Sequence, residues 1–344
     1  MRLIIDAMGG DNAPDEIVKG AVMARKQLGA DVTLVGRRED VIRCLKAEGC
    51  TDIQVADARE VVTMEDDPST ATRRKKDSSM TVALNLLRDG EGDAVISAGS
   101  TGALLTGATL IVKRIHGIRR AAMAPVLPCG EYGALLIDCG ANVECTPEYL
   151  LQFAYMGSFY AKKLMDCPDP RVGLLNVGTE DTKGDALRHE AFTLLKKAGD
   201  EGRINFVGNV EGTGVYDGRA EVVVTDGFSG NVLLKTTEGV AKYMMDQLKG
   251  VFYKNLGNKL AAARVKNDLK EMKKSLDPNE VGGTALLGIS RPVIKAHGSS
   301  KAQAILAASR QAVNFAGSGI IEDIKANIDV MRIAPEASGS GEEK

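Results

Sequence analysis

Seven short runs rich in Val, Ile and Leu punctuate the first two thirds of this chain, at residues 3–5, 32–35, 94–96, 135–137, 172–175, 205–207 and 221–224. Stretches with helical spacing lie between most of them. A run that is apolar throughout, rather than alternating, predicts a strand buried on both faces, and a parallel neighbour needs a helical crossover to return the chain. The pattern therefore predicts an α/β fold, a three-layer α/β/α sandwich around a mostly parallel sheet. At 344 residues, 44% of them hydrophobic, the chain is long enough to bury such a core in a single α/β domain over residues 1–333.

Composition excludes more than it assigns. A formal charge of -2, with 26% charged residues, gives no global field for nucleic acid, so any electrostatic docking surface must be local. Six cysteines include no C-x-x-C pair and only three histidines are present, which argues against a metal framework and for reduced thiols. The apolar run Leu3-Ile4-Ile5 ends at Asp6, too short for a signal-peptide core, and no run approaches a membrane span. A cytoplasmic protein that touches a membrane without crossing it is the expectation.

Six of the runs end in loops of small or polar residues, at 6–11, 97–102, 138–142, 176–184, 208–212 and 226–231. In a parallel sheet such loops share the edge where open α/β sheets bind ligands. The loop Ser97-Ala98-Gly99-Ser100-Thr101-Gly102 should open a helix near Ala103, as an anion site of backbone N–H and hydroxyl groups or as an ordinary capped turn. It matches neither G-x-G-x-x-G nor a P-loop, so no nucleotide cofactor is predicted. Lys183, between Gly178 and Gly184, can hold phosphate oxygens or stand solvated. Asn231 can cap a helix or donate to a substrate carbonyl. The carboxylates of Asp6, Asp11, Asp138 and Asp226 have turn-bonding as their ordinary role. His297 is a structural histidine or a proton donor to a leaving group. No G-x-S-x-G or H-E-x-x-H motif occurs, which leaves Cys139 and Cys145 as the nucleophile candidates near the loop edge.

Residues 240–276 read as two amphipathic helices in a projecting hairpin, with Met244, Leu248, Val251, Phe252, Leu256, Leu260, Val265, Leu269 and Met272 apolar among lysines. Such a hairpin suits an anionic membrane or a dimer interface. The basic groups 73–76 and Lys113, Arg114, Arg119, Arg120 are solvated faces or docks for an acidic partner. Residues 334–344 are small and polar, and disorder is expected there.

Taken together, Asp6-Ala-Met-Gly-Gly-Asp11, Ile96-Ser-Ala-Gly-Ser-Thr-Gly-Ala103, Asp138-Cys-Gly-Ala-Asn142, Leu175-Asn-Val-Gly178 with Lys183-Gly184, Gly208-Asn-Val-Glu-Gly212, Asp226-Gly-Phe-Ser-Gly-Asn231 and His297-Gly-Ser-Ser300 resemble the bacterial acyl-ACP:phosphate acyltransferases, the PlsX family. Two departures are Ser100, where Asn is familiar, and Thr284-Ala285. The resemblance implies a homodimer with a fold similar to phosphotransacetylases and isocitrate-dehydrogenase-like enzymes. It also implies an acyl carrier protein as donor, inorganic phosphate as acceptor, and an acyl phosphate passed to a membrane glycerol-3-phosphate acyltransferase. A peripheral place on the inner face of the cell membrane is a further implication of the resemblance.

Phosphate near neutral pH is already partly dianionic, so its attack on a thioester needs positioning more than a strong base. The expected site has Ser97, Gly99, Ser100, Thr101, Gly102, Asp138, Asn142, Gly178 and Asp226 around phosphate and substrate. Lys183 and Asn231 carry the charge stabilisation, with His297 an optional acid. Two rivals are a nicotinamide-dependent oxidoreductase of similar fold and a non-catalytic lipid or carrier-binding module.

Overall fold

The computed structural model describes residues 1–269 and 282–332. Twelve strands form among them: β1 (Arg2–Asp6), β2 (Asp31–Gly36), β3 (Gln54–Asp57), β4 (Ala94–Ser97), β5 (Ala122–Ala124), β6 (Val126–Leu127), β7 (Ala134–Ile137), β8 (Arg171–Leu175), β9 (Asn205–Val210), β10 (Val222–Val224), β11 (Thr284–Leu287) and β12 (Val293–Lys295). They make two sheets where the sequence predicts one. The first runs β3-β2-β1-β4-β12-β11-β5 and the second β6-β7-β10-β8-β9. Parallel pairing dominates both, and the antiparallel pairs are β12 with β11, β11 with β5, and β6 with β7.

The chain changes sheet at Pro125, which separates β5 from β6 and lends its carbonyl to the Leu136 amide at 2.9 Å. After the excursion through the second sheet, β11 and β12 return to complete the first. Buried strands explain the three layers. Leu3 and Ile5 join one hydrophobic cluster and Ile4 the other, so β1 is covered on both faces. Helices α1 (Asp15–Leu28) and α2 (Arg38–Ala47) precede the short α3 (Ala71–Arg74) and α4 (Ser79–Arg88). Next comes α5 (Thr101–Gly107), which continues into a π-helical turn, Ala108–Val112. In α1 the residues Ile17, Val18, Ala21 and Val22 bury one stripe, and Gly29 ends the helix at a left-handed φ of 62°.

Around the second sheet, α6 (Pro147–Leu164) starts with Pro at its first position and is buried on nearly all sides from Leu150 to Ala161. It packs with α7 (Ala186–Asp200). The long α8 (Gly227–Tyr253) buries only Gly227 and Gly230, and then α9 (Leu256–Arg264) follows. Both helices carry the expected exposed apolar face, including Tyr243, Met244, Val251, Leu256 and Leu260. Met272 and the lysines at 270, 273 and 274, like residues 334–344, lie outside the described residues. The chain closes with α10 (Ala302–Gly317), against α1, and α11 (Ile320–Ala326), against α6. Among the described residues, no helix is long and apolar enough to cross a membrane.

Candidate active site

A cavity of about 500 Å³ opens where the two sheets meet, within the usual range for a small-ligand site. Its walls come from the loops after β4, β7 and β12, from α8, and from Tyr216 in the loop after β9. Its lining is mixed: Leu105, Met123, Val126, Leu127 and Leu234 are apolar, and Thr101, Asn231, Lys295 and His297 are polar.

Asp138 builds the junction. Its buried carboxylate accepts the amide of Met123 in β5 at 2.9 Å, and those of Cys139 and Asn142 at 2.7 and 2.6 Å. One side chain thereby ties the end of β7 to the other sheet. Burial pushes its acid upward despite these bonds. Asn142 donates its side-chain amide to the Ala121 carbonyl at 2.8 Å, and its own carbonyl accepts the Gly227 amide. Both residues are thus committed to backbone, which is the turn-bonding role for Asp138.

Asp226 caps α8 by accepting the Ser229 amide at 2.8 Å, and it ion-pairs with Arg188. The sequence left capping open for Asn231; the cap lies five residues earlier, so Asn231 sits in the second turn and faces the cavity. Gly230 is needed there because a Cβ would fall 2.0 Å from the Asp138 carbonyl oxygen. The helix after β4 begins at Thr101 rather than near Ala103, and the Ser100 hydroxyl accepts the Ala103 amide at 3.5 Å. Thr101 and Gly102 line the cavity. Ser97 is buried, donating to Asp6 at 2.6 Å and accepting from Gly99 at 3.1 Å, so it shapes the loop from behind. A Cβ on Gly9 would lie 2.7 Å from the Gly99 nitrogen, which shows how closely the loops after β1 and β4 press together.

Two expected features lie elsewhere. Lys183 and Gly178 occupy the loop after β8, Lys183 exposed and outside the cavity lining. Where that loop ends, Arg188 in the first turn of α7 reaches both Asp185, the cap of α7, and Asp226, the cap of α8. The loop placed at 208–212 begins later, because β9 runs on to Val210 past an irregularity at its pairing with β8. His297 does line the cavity, with its Nδ1 against the Ser299 hydroxyl at 2.8 Å. The cysteines are poor nucleophiles: burial pushes both Cys139 and Cys145 up to about 12, leaving almost no thiolate at neutral pH.

Lys295, at the end of β12, escaped the sequence reading. It is 7% exposed, its Nζ donates to the Ala98 and Ala296 carbonyls, and burial pulls its ammonium down to about 8. The other lysine on the wall, Lys235, is exposed and pairs with Glu238 at 2.7 Å.

The architecture is shared with solved enzymes. A phosphotransacetylase from Streptococcus pyogenes superposes with a TM-score of 0.61 at 18% identity, covering 91% of this chain and 94% of that one. The EutD phosphotransacetylase from Staphylococcus aureus gives 0.59 at 16%, over 92% and 94%. The fold is therefore that of the phosphotransacetylases. Sequence comparison goes further, since the model of the family described as "Fatty acid synthesis protein" matches residues 1–323. The phosphate acyltransferase of Oceanobacillus iheyensis is 48% identical over 96% of this chain and 98% of its own length. That of Bacillus licheniformis is 46% identical over 95% and 98%. The chain belongs to this phosphate acyltransferase family and is an acyltransferase of lipid synthesis.

Proposed function

We propose that the protein transfers a fatty acyl group from an acyl-carrier-protein thioester to inorganic phosphate, releasing acyl phosphate for phospholipid synthesis. The observation that carries the reading is the mixed lining of the cavity: apolar side chains fit for an acyl chain together with a group of polar donors. In the proposed step a phosphate oxygen attacks the thioester carbon, the C–O bond forms, and the C–S bond breaks. The sulfur leaves as a thiolate, which takes its proton from water or from His297. Low thiol basicity makes that departure easy. Asn231 donates to the carbonyl oxygen as charge builds on it, while Thr101 and the backbone at Gly102 border the acceptor. Lys183 adds an exposed positive charge in the loop after β8.

A nucleophile on the protein is not required, in keeping with the raised thiols of Cys139 and Cys145. We also propose that the protein works as a homodimer that rests on anionic lipid through the lysine-bearing hairpin of α8 and α9. Its acyl phosphate would there pass to a membrane glycerol-3-phosphate acyltransferase. The exposed Leu256, Leu260 and Val251 support the membrane contact.

The test is incubation with palmitoyl carrier protein and phosphate, trapping acyl phosphate as a hydroxamate with hydroxylamine. Product that depends on phosphate is expected. A folded protein that leaves an active donor untouched refutes the reading and returns the carrier-binding module.

A further inference from the structure

Lys295 is a buried cation without an ion-pair partner among the described residues. Its strand neighbours Val293 and Ile294 are fully buried, and Lys295 itself lines the cavity with 7% of its surface exposed. An ammonium has three N–H donors, and the carbonyls of Ala98 and Ala296 are the two acceptors it reaches. Among the described residues it has no carboxylate within salt-bridge distance. Asp6 and Asp11 act on it only through space. The Asp6 carboxyl is already taken by the Ser97 hydroxyl and the Met8 amide, and burial drives it toward its neutral form. Lys235, on the facing helix, repels it, and His297 is turned to Ser299.

Burying an unneutralised charge is costly, and such sites are kept where a ligand completes them. We propose that Lys295 holds the inorganic phosphate acceptor, its ammonium forming the charge partner of the phosphate dianion in the cavity. The proposal rests on the acyl-transfer reading and assigns its acceptor subsite. It sets that subsite beside the loop after β4, since Lys295 pairs in register with Ser97 and its Nζ meets the Ala98 carbonyl.

A consequence follows for protons. With the ammonium lowered to about 8, the free protein at pH 8 carries that proton in roughly half of its molecules. A bound dianion favours the charged form, so binding takes up about half a proton at pH 8. Phosphate affinity then falls above pH 8, approaching tenfold per unit.

The experiment is calorimetric titration of the wild-type protein with inorganic phosphate at pH 8 in two buffers of different ionisation heat. Uptake of about half a proton supports the assignment, and zero uptake or release overturns it. In steady state, Lys295→Met should raise the KM for phosphate on the order of a hundredfold and leave the donor KM unchanged, with Lys295→Arg recovering part. A folded Lys295→Met with wild-type phosphate KM also overturns it; should that variant not fold, the wild-type proton count decides. Proton-linked phosphate binding without acyl phosphate production would sink the acyl-transfer reading and leave Lys295 as an anion site. Turnover without linkage would sink the Lys295 assignment alone.

Discussion

Asp226→Ala should be among the most damaging single changes outside the hydrophobic core. Only 7% of the Asp226 side chain and 16% of the Arg188 side chain reach solvent, so the pair is nearly dry. One carboxylate oxygen caps α8 on the Ser229 amide and the other meets Arg188 and the Ser229 hydroxyl. Loss of a helix cap costs about 1 kcal/mol. Stranding one member of a buried ion pair costs about 3–5 kcal/mol, lessened here because Arg188 keeps Asp185 at 2.9 Å. The expected total is about 3 kcal/mol. In urea, with a slope of about 3 kcal/mol per molar, the unfolding midpoint falls by about 1 M. Asp226→Asn keeps a capping oxygen and should lose less. The double variant Asp226→Ala with Arg188→Met should be milder than the sum of its parts by more than about 1 kcal/mol. A midpoint shift below about 0.2 M for Asp226→Ala would refute the reasoning.

Further expectations concern the site, the surface and pH. Asn231→Ala should lower kcat on the order of a hundredfold with little change in melting temperature, and a near-normal kcat would remove Asn231 from the oxyanion role. Lys183→Ala, because the lysine is exposed, should raise the KM for phosphate only several-fold, and less than Lys295→Met does. Leu256→Glu with Leu260→Glu should cut co-sedimentation with anionic vesicles while sparing turnover of soluble donor; unchanged sedimentation would discard the hairpin as a membrane contact. The Asp66 carboxyl is held down to about 2, first by Lys75 at 2.6 Å and then by the Thr63 amide. A carboxyl lowered on folding stabilises fully above its unfolded value near 4 and loses that contribution as pH falls toward 2. Lys75→Met should therefore be less stable than wild type at pH 6, with the gap closing between pH 4 and pH 2 in unfolding experiments.

How much of this was legible depended on whether residues formed their structure locally. The all-apolar runs at 3–5 and 135–137, and the run at 32–35 broken only by Thr33, announced buried parallel strands because both faces are covered. By contrast, β5 and β12 are three residues long, and β11 is joined to β12 without a helix, so no crossover pattern flagged them. Missing them hid the second sheet, and it hid Lys295, which becomes a cavity residue only once β12 slots beside β4. A lone lysine in the apolar run Pro292-Val293-Ile294-Lys295-Ala296, two residues before His297, was the available signal. The cap of α8 was also readable, since Asp226 stands three residues before Ser229. The loop of Gly178, Lys183 and Gly184 does follow β8, but it lies outside the cavity lining, because β8 and the edge strand β9 stand beyond β10 and β7 in the second sheet.

The central claim is direct displacement of a thiol by phosphate in this cavity. It is tested by rapid mixing of the protein, in excess, with acyl carrier protein thioester, following free thiol and intact protein mass with and without phosphate. The account predicts thiol release only when phosphate is present and no acylated protein at any time. A burst of thiol without phosphate, matched by an acyl adduct on the chain, would contradict it.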